Sequence, residues 1–310
     1  MIDRPRSLIV FNPASGKGRS AARALELRAR LEASGREVEG LLTEIEANVL
    51  ERVDEARYSE VFVVGGDGSA HAAANGLSEG RLPVVFCGTG TINVLALEQR
   101  LPRDPAGLVA VALDGRDVRA RLLRVHAGEA GEEAQVNGLL FVEAGFLGRV
   151  VSEVNAWRKR HARHGKLEFV MRALEIVPRS FGRPMRATLE TLEGERREAA
   201  YSNVIASKVR RYAGSMPLPI PEGTPMEDEG FWVMGMRTRT PFGHLALLAL
   251  GALGAWPRLA RLLEGRAYDL FRARSLRVEA TKGDGRCVHV DAESTSPGGR
   301  ELRLPIVVEE

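Results

Sequence analysis

Apolar and polar positions change rhythm once along this chain. Over the first 120 residues, short unbroken apolar runs alternate with stretches of helical spacing. Ser7–Phe11 (SLIVF), Val38–Leu42, Val61–Val64 (VFVV) and Val84–Phe86 read as buried strands. Ala21–Ser34, with Leu25, Leu27 and Leu31 along it, reads as a helix, as do Val49–Ala56, Ser69–Leu77 and Asn93–Glu98, and a further helix ends at Asp114. Strands that alternate with helices predict a parallel sheet covered on both faces.

Beyond that point, β-rich or alternating runs dominate: 186–193, 197–206, 231–239, 275–280, 286–293 and 301–308. Gly, Pro and acidic turns separate them, the signature of an antiparallel sheet. Helical insertions are expected at 150–176 and 244–263. The fold class is therefore α/β: an open parallel-sheet domain (1–122), then a mainly antiparallel β domain with helical insertions (123–310) whose C-terminal segment can pack back on the first.

Composition narrows the class. At 310 residues, 44% hydrophobic and 27% charged, the chain has the core formers of a globular protein. Two cysteines, Cys87 and Cys287, exclude a disulfide framework and a cysteine-rich zinc site. The first twelve residues contain charges and a proline but no apolar core, so no signal peptide is expected. The apolar run from Phe242 to Trp256 is shorter than the roughly 20 residues of a bilayer span. It reads as a core helix in preference to the wall of a lipid slot. A cytoplasmic protein, peripheral at the inner membrane surface, is the expectation.

The net charge is only +3, from 44 Lys+Arg and 41 Asp+Glu, but all the cations except Lys17, Lys159, Lys166, Lys208 and Lys282 are arginines. Trp157 heads a basic run to Lys166 that could meet an anionic membrane or form a solvated helix face. No stacking aromatic series accompanies it, so nucleic acid is not an expected partner. Exposed edge strands are compatible with a homodimer.

Three strands end in glycine-rich turns. Asn12-Pro13-Ala14-Ser15-Gly16-Lys17-Gly18 follows the first, Gly65-Gly66-Asp67-Gly68-Ser69 the third and Cys87-Gly88-Thr89-Gly90-Thr91-Ile92-Asn93 the fourth. In an open parallel sheet, ligands bind outside the carboxyl ends of the strands. Glycine admits close approach, and helix N-termini present N–H groups to phosphate. None of the turns is a Walker A loop or a G-x-G-x-x-G turn. Asp67, a carboxylate among such amides, must hold a metal or cap a helix, and the metal reading is preferred.

NPASGKG (12–18), GGDGS with NGL (65–69, 75–77) and GTINVLA (90–96) resemble the diacylglycerol kinase catalytic-domain family, which includes sphingosine and ceramide kinases. HVDAEST (289–295) is similar to its Asp-Gly-Glu segment, and Glu227–Phe231 to its acidic turn. The resemblance implies transfer of the γ-phosphoryl of ATP to a lipid hydroxyl. It places Asn12, Ser15, Gly16, Lys17, Thr43, Gly65, Gly66, Asp67, Gly68, Ser69 and Thr91 at the nucleotide. It gives Mg²⁺ to Asp67 and Glu293, and makes Asp291 the base. It also implies a structural Mg²⁺ at Glu229, with the carbonyls of Met226 and Phe231.

If 288–293 is extended, Asp291 and Glu293 face away from Val288 and Val290. The chain departs from the family at His71, Ala72, Val94, Leu147 and Ala292. A non-catalytic nucleotide binder, or a kinase for a soluble molecule resembling NAD kinase, stays open beside the lipid kinase.

Overall fold

An apolar run settles into a strand where both faces are covered, as Arg6–Phe11 shows. The computed structural model describes residues 6–13, 15–42, 50–78, 80–90, 93–128, 134–146, 148, 153, 175, 184–212, 216–223, 225–280, 288–291 and 302–310. The chain divides into two units, residues 1–120 with 211–215, and residues 121–210 with 216–310. The segment 211–215, expected in the second domain, clusters with the first.

The first unit is α/β. Strands β1 (Arg6–Phe11), β2 (Glu37–Leu42), β3 (Glu60–Gly65) and β4 (Val84–Gly88) form a parallel sheet in the order β2-β1-β3-β4. Every residue of β3 is buried, as a central parallel strand requires. Helices α1 (Arg19–Ala33) and α2 (Asp67–Gly76) lie in crossovers between strands, and α3 (Val94–Glu98) and α4 (Pro105–Asp114) follow β4. Leu27 and Leu31 of α1 pack with Ile9, Phe62, Val64 and Leu108, whereas Leu25 falls off that stripe and is exposed. Helix α4 starts on Asp104, whose side chain accepts Gly107 N–H at 2.8 Å, with proline as its first residue.

Of the helix expected over 49–56, Leu50 alone is helical among the described residues. Residues 51–53 turn, and Glu55–Arg57 is a short 3₁₀ helix. Buried Glu55 accepts the N–H of Ser78 at 2.7 Å just past the end of α2, and that tie holds the segment in a tight turn.

The second unit is built on β5 (Leu123–Ala127), β6 (Ala134–Gly138), β7 (Phe141–Gly145), β8 (Met185–Thr191), β9 (Arg196–Tyr201) and β10 (Asn203–Ser207). Two short strands follow, β11 (Arg211–Tyr212, in the first unit) and β12 (Met216–Pro217). Then come β13 (Phe231–Met236), α5 (Pro241–Ala252), α6 (Trp256–Leu263), β14 (Tyr268–Glu279), β15 (Val288–Val290) and β16 (Ile306–Glu309). The antiparallel sheet runs β15-β7-β10-β13-β14-β16-β5-β6, with β8 on β14 and β9 on β8. Val125, Val142, Val204, Val233, Val278 and Val290 are among the residues of its core.

Three expectations change here. The run 197–206 is two strands: the chain leaves its pairing with β8 at Tyr201 and joins β7 and β13 from Asn203. The run at 275–280 is the end of a 12-residue strand. Its first half hides in the sequence because Asp269 is charged, yet Asp269 is buried and held by Tyr201 Oη at 2.6 Å and Arg237 Nε at 2.7 Å. The helix at 244–263 is two helices, parted at Gly254, whose φ of 69° is left-handed. The insertion at 150–176 lies outside the described residues apart from single positions.

Tyr201 also explains a glycine. A Cβ on Gly235 would sit 2.5 Å from the Tyr201 ring, which the Asp269 hydrogen bond fixes in place. Gly235→Ala should therefore lower unfolding stability by about 2 kcal/mol, read from the urea midpoint.

Candidate functional site

The order β2-β1-β3-β4 places the switch point of the sheet between β1 and β3, beside which their carboxyl-end loops emerge. Asn12 N–H reaches Val64 O at 3.2 Å, and Thr89 N–H reaches Gly65 O at 2.7 Å, so the three turns lie side by side. Ser15 Oγ and Thr89 Oγ1 are 3.3 Å apart. Gly16 has a φ of 61°, and a Cβ there would come within 2.5 Å of Thr89 O, so both its conformation and its space call for glycine.

A Cβ on Gly90 would lie 2.9 Å from the Cα of Gly66. The two glycines therefore meet backbone to backbone. A Cβ on Gly66, by contrast, would find nothing closer than Gly90 Cα at 3.7 Å and Ser15 Oγ at 3.9 Å. Gly66 is the N-cap of α2, with no side chain capping it, so the ten-residue helix opens on bare backbone. That is the arrangement in which a helix N-terminus takes an anion. Cys87, near the end of β4, is buried, and burial pushes its thiol up to about 11, so it stays a neutral thiol.

Asp67 takes up the helix-capping role. Its Oδ2 accepts Val94 N–H at 2.9 Å and its Oδ1 accepts Leu95 N–H at 3.1 Å. The carboxylate thus caps α3, whose N-cap residue Asn93 turns inward through a φ of 53° and makes no side-chain cap. Position 94 meets Asp67 through its backbone, so valine serves there. Ser69 and His71 are buried within α2, and Asn75 Nδ2 donates to His71 O at 2.9 Å.

Asp291 is also relocated. Strand β15 ends at Val290, and Asp291 turns left-handed with a φ of 52°, so the alternation expected through residue 293 breaks at this residue. Its side chain is buried. Oδ1 accepts Leu140 N–H at 2.7 Å and Phe141 N–H at 2.9 Å, and Oδ2 accepts Leu139 N–H at 2.7 Å. These contacts make Asp291 the anchor of the turn between β6 and β7.

Glu229 is exposed, and its carbonyl accepts Arg272 Nε at 3.1 Å and Nη2 at 2.8 Å. Met226 O accepts Arg121 N–H at 2.8 Å. The set expected around a structural Mg²⁺ therefore does not assemble. Among the described residues, no three His, Cys, Asp or Glu side chains gather as a metal would need. Thr43, Thr91, Glu293, Leu147, Ala292, the basic run 157–166 and the side chain of Lys17 lie outside the described residues. The sequence reading left Thr89 and Gly90 out of the site, although the Gly-Thr-Gly of the fourth strand's turn carried the signal.

Residues 6–125, which hold all three turns, match the family model described as the diacylglycerol kinase catalytic domain. This segment belongs to that family. Among curated proteins, the domain is 30% identical over 121 residues to a diacylglycerol kinase of Staphylococcus epidermidis, covering 37% of this chain and 38% of the relative. It is 31% identical over 111 residues to one from Staphylococcus haemolyticus, covering 34% of each. The matched stretch thus spans well under half of those relatives.

Among solved structures, a diacylglycerol kinase from Bacillus anthracis aligns over 100% of this chain and 94% of its own, with a TM-score of 0.64 and 15% identity. Yeast NADH kinase complexed with NADH aligns over 98% of this chain and 79% of its own, with a TM-score of 0.52 and 12% identity. Both establish the fold of the whole chain, including the mainly antiparallel part outside the catalytic-family domain.

The anchoring roles are measurable. In excess EDTA, Asp67→Ala should cost about 1–2 kcal/mol of unfolding stability through the lost cap. Asp291→Ala should cost about 3 kcal/mol through two buried N–H groups and one part-buried N–H group left without an acceptor. Carboxylates that served metal alone would show no loss under those conditions.

Proposed function

We propose that the protein is an ATP-dependent lipid kinase that transfers the γ-phosphoryl group to the hydroxyl of a diacylglycerol- or sphingoid-like acceptor. The observation that carries this reading is the backbone contact of Gly66 with Gly90 beside the open N-terminus of α2, within a segment of the diacylglycerol kinase catalytic family. Phosphoryl transfer is mostly positioning and charge stabilisation. The bare amides of α2 and the hydroxyls of Ser15 and Thr89 supply donors, and the two glycines keep side chains out of the phosphates' way. The described carboxylates do not form a donor set for Mg²⁺, so the reading rests on the cradle's own donors.

A lipid acceptor is supported by α5. Phe242, Ala246, Ala249 and Leu253 recur at i, i+4, i+7 and i+11, and all four are exposed, Phe242 by 76% and Leu253 by 81%. No charged residue lies within this helix. Between Glu229 and Glu264 the sequence has four arginines and no acid. An apolar stripe set among cations suits the interface of an anionic bilayer, and on this reading the enzyme works as a peripheral protein. Among the described residues, no helix is long and apolar enough to cross a membrane.

The test is transfer of labelled γ-phosphate from Mg-ATP to a panel of lipids in mixed micelles, with Gly66→Ala alongside. The added methyl has room within the protein, so the variant should keep its thermal midpoint. It would push the phosphates aside and should lower kcat/KM about 100-fold or more. A wild-type protein that binds ATP yet labels no lipid would replace the kinase with a nucleotide-binding protein. Label on a soluble acceptor without micelles would instead favour the small-molecule kinase.

A further inference from the structure

Lys208 directly follows β10, and its side chain is fully buried. Its Nζ donates to Asp228 O at 2.7 Å, to Gly230 O at 2.8 Å and to Glu310 Oε1 at 2.7 Å. Three ammonium protons thus meet three oxygens, and the group is saturated. Glu310 Oε2 in turn accepts Gly230 N–H at 2.9 Å and lies 3.3 Å from Arg121 Nη1. Along the acidic turn the carbonyls alternate. Those of residues 228 and 230 point to Lys208, and that of residue 229 points outward to Arg272.

Two backbone carbonyls and a carboxylate around one positive charge are what a protein gives a hard cation. Here the distances are those of charge-assisted N–H···O bonds. The charge count fits an ammonium better than a divalent ion. The single carboxylate of Glu310 already has Arg121 beside it, and Asp228 is turned 4.0 Å from Arg272.

We propose that the Lys208 ammonium is the built-in cation of the 227–231 turn, held by the carbonyls of residues 228 and 230 and by Glu310, so that the second unit folds without divalent metal. Burial pulls the lysine down, opposed by the hydrogen bond and charge of Glu310. Burial alone would raise Glu310, but the bonds from Lys208 and Gly230 N–H outweigh it and the carboxyl is lowered. Through this pair, one side chain fastens the end of β10, the start of β13 and the residue after β16.

This inference does not depend on the kinase reading, since its test needs no turnover. Thermal unfolding of the full chain without nucleotide is followed by tryptophan fluorescence, with Trp232 in β13 next to the turn. The wild-type midpoint should agree within about 1 °C between excess EDTA and millimolar MgCl₂. A midpoint that falls in EDTA and recovers with Mg²⁺ would overturn the proposal, whether or not any variant folds. Lys208→Ala should lose about 10 °C and regain at least half of it with n-propylammonium, which restores the missing carbons and charge. Lys208→Met should lose as much without rescue, because its side chain fills the slot. Equal rescue of Lys208→Ala by propan-1-ol would show that volume alone matters and would also overturn the proposal.

Discussion

The first unit's site depends on one carboxylate holding two loops together. Asp67 begins α2 at the end of β3, and both of its oxygens reach the first amides of α3, which follows β4. Those two bonds supply the N-terminal cap that a five-residue helix cannot supply for itself. Because α3 is tied there, Gly90 stays pressed on Gly66 and the bare end of α2 stays open. The cradle is thus shaped by an acid that belongs to the scaffold.

The same use of acids recurs in the second unit. Asp291 fastens the turn between β6 and β7, and Glu310 fastens the turn before β13 by taking a backbone N–H and a buried ammonium. Glu60, deep in the first sheet, takes Arg36 through both oxygens and the Ser7 hydroxyl. Each is a buried or part-buried charge with its oxygens matched to donors, the condition under which such burial is tolerated. Motif acids in this chain therefore have to be judged by what their lone pairs face.

Strands covered on both faces were legible in the sequence, because VFVV and SLIVF have no polar position to place. The halves of 197–206 were not, because the change of partner at Ser202 is set by strands far away in the chain. The start of β14 was hidden by Asp269 and Arg272, whose charges are met by distant residues. The glycine turns were legible as a set, since their chemistry is local to each strand end. The role of Asp67 was not, because spacing alone cannot say which helix begins beside it. Lys208 was invisible for the same reason, with its carboxylate partner 102 residues further on.

Strand β14 runs for 12 residues, with its first half on β13 and its second half between β8 and β16. It acts as a spine to which β8, β13 and β16 are laced by backbone hydrogen bonds. No cut through the sequence separates the unit into two self-sufficient pieces, since either piece would lack ladder partners on one side. The unit has the connectivity of a single cooperative block, whose innermost amides open to solvent only when the whole of it does.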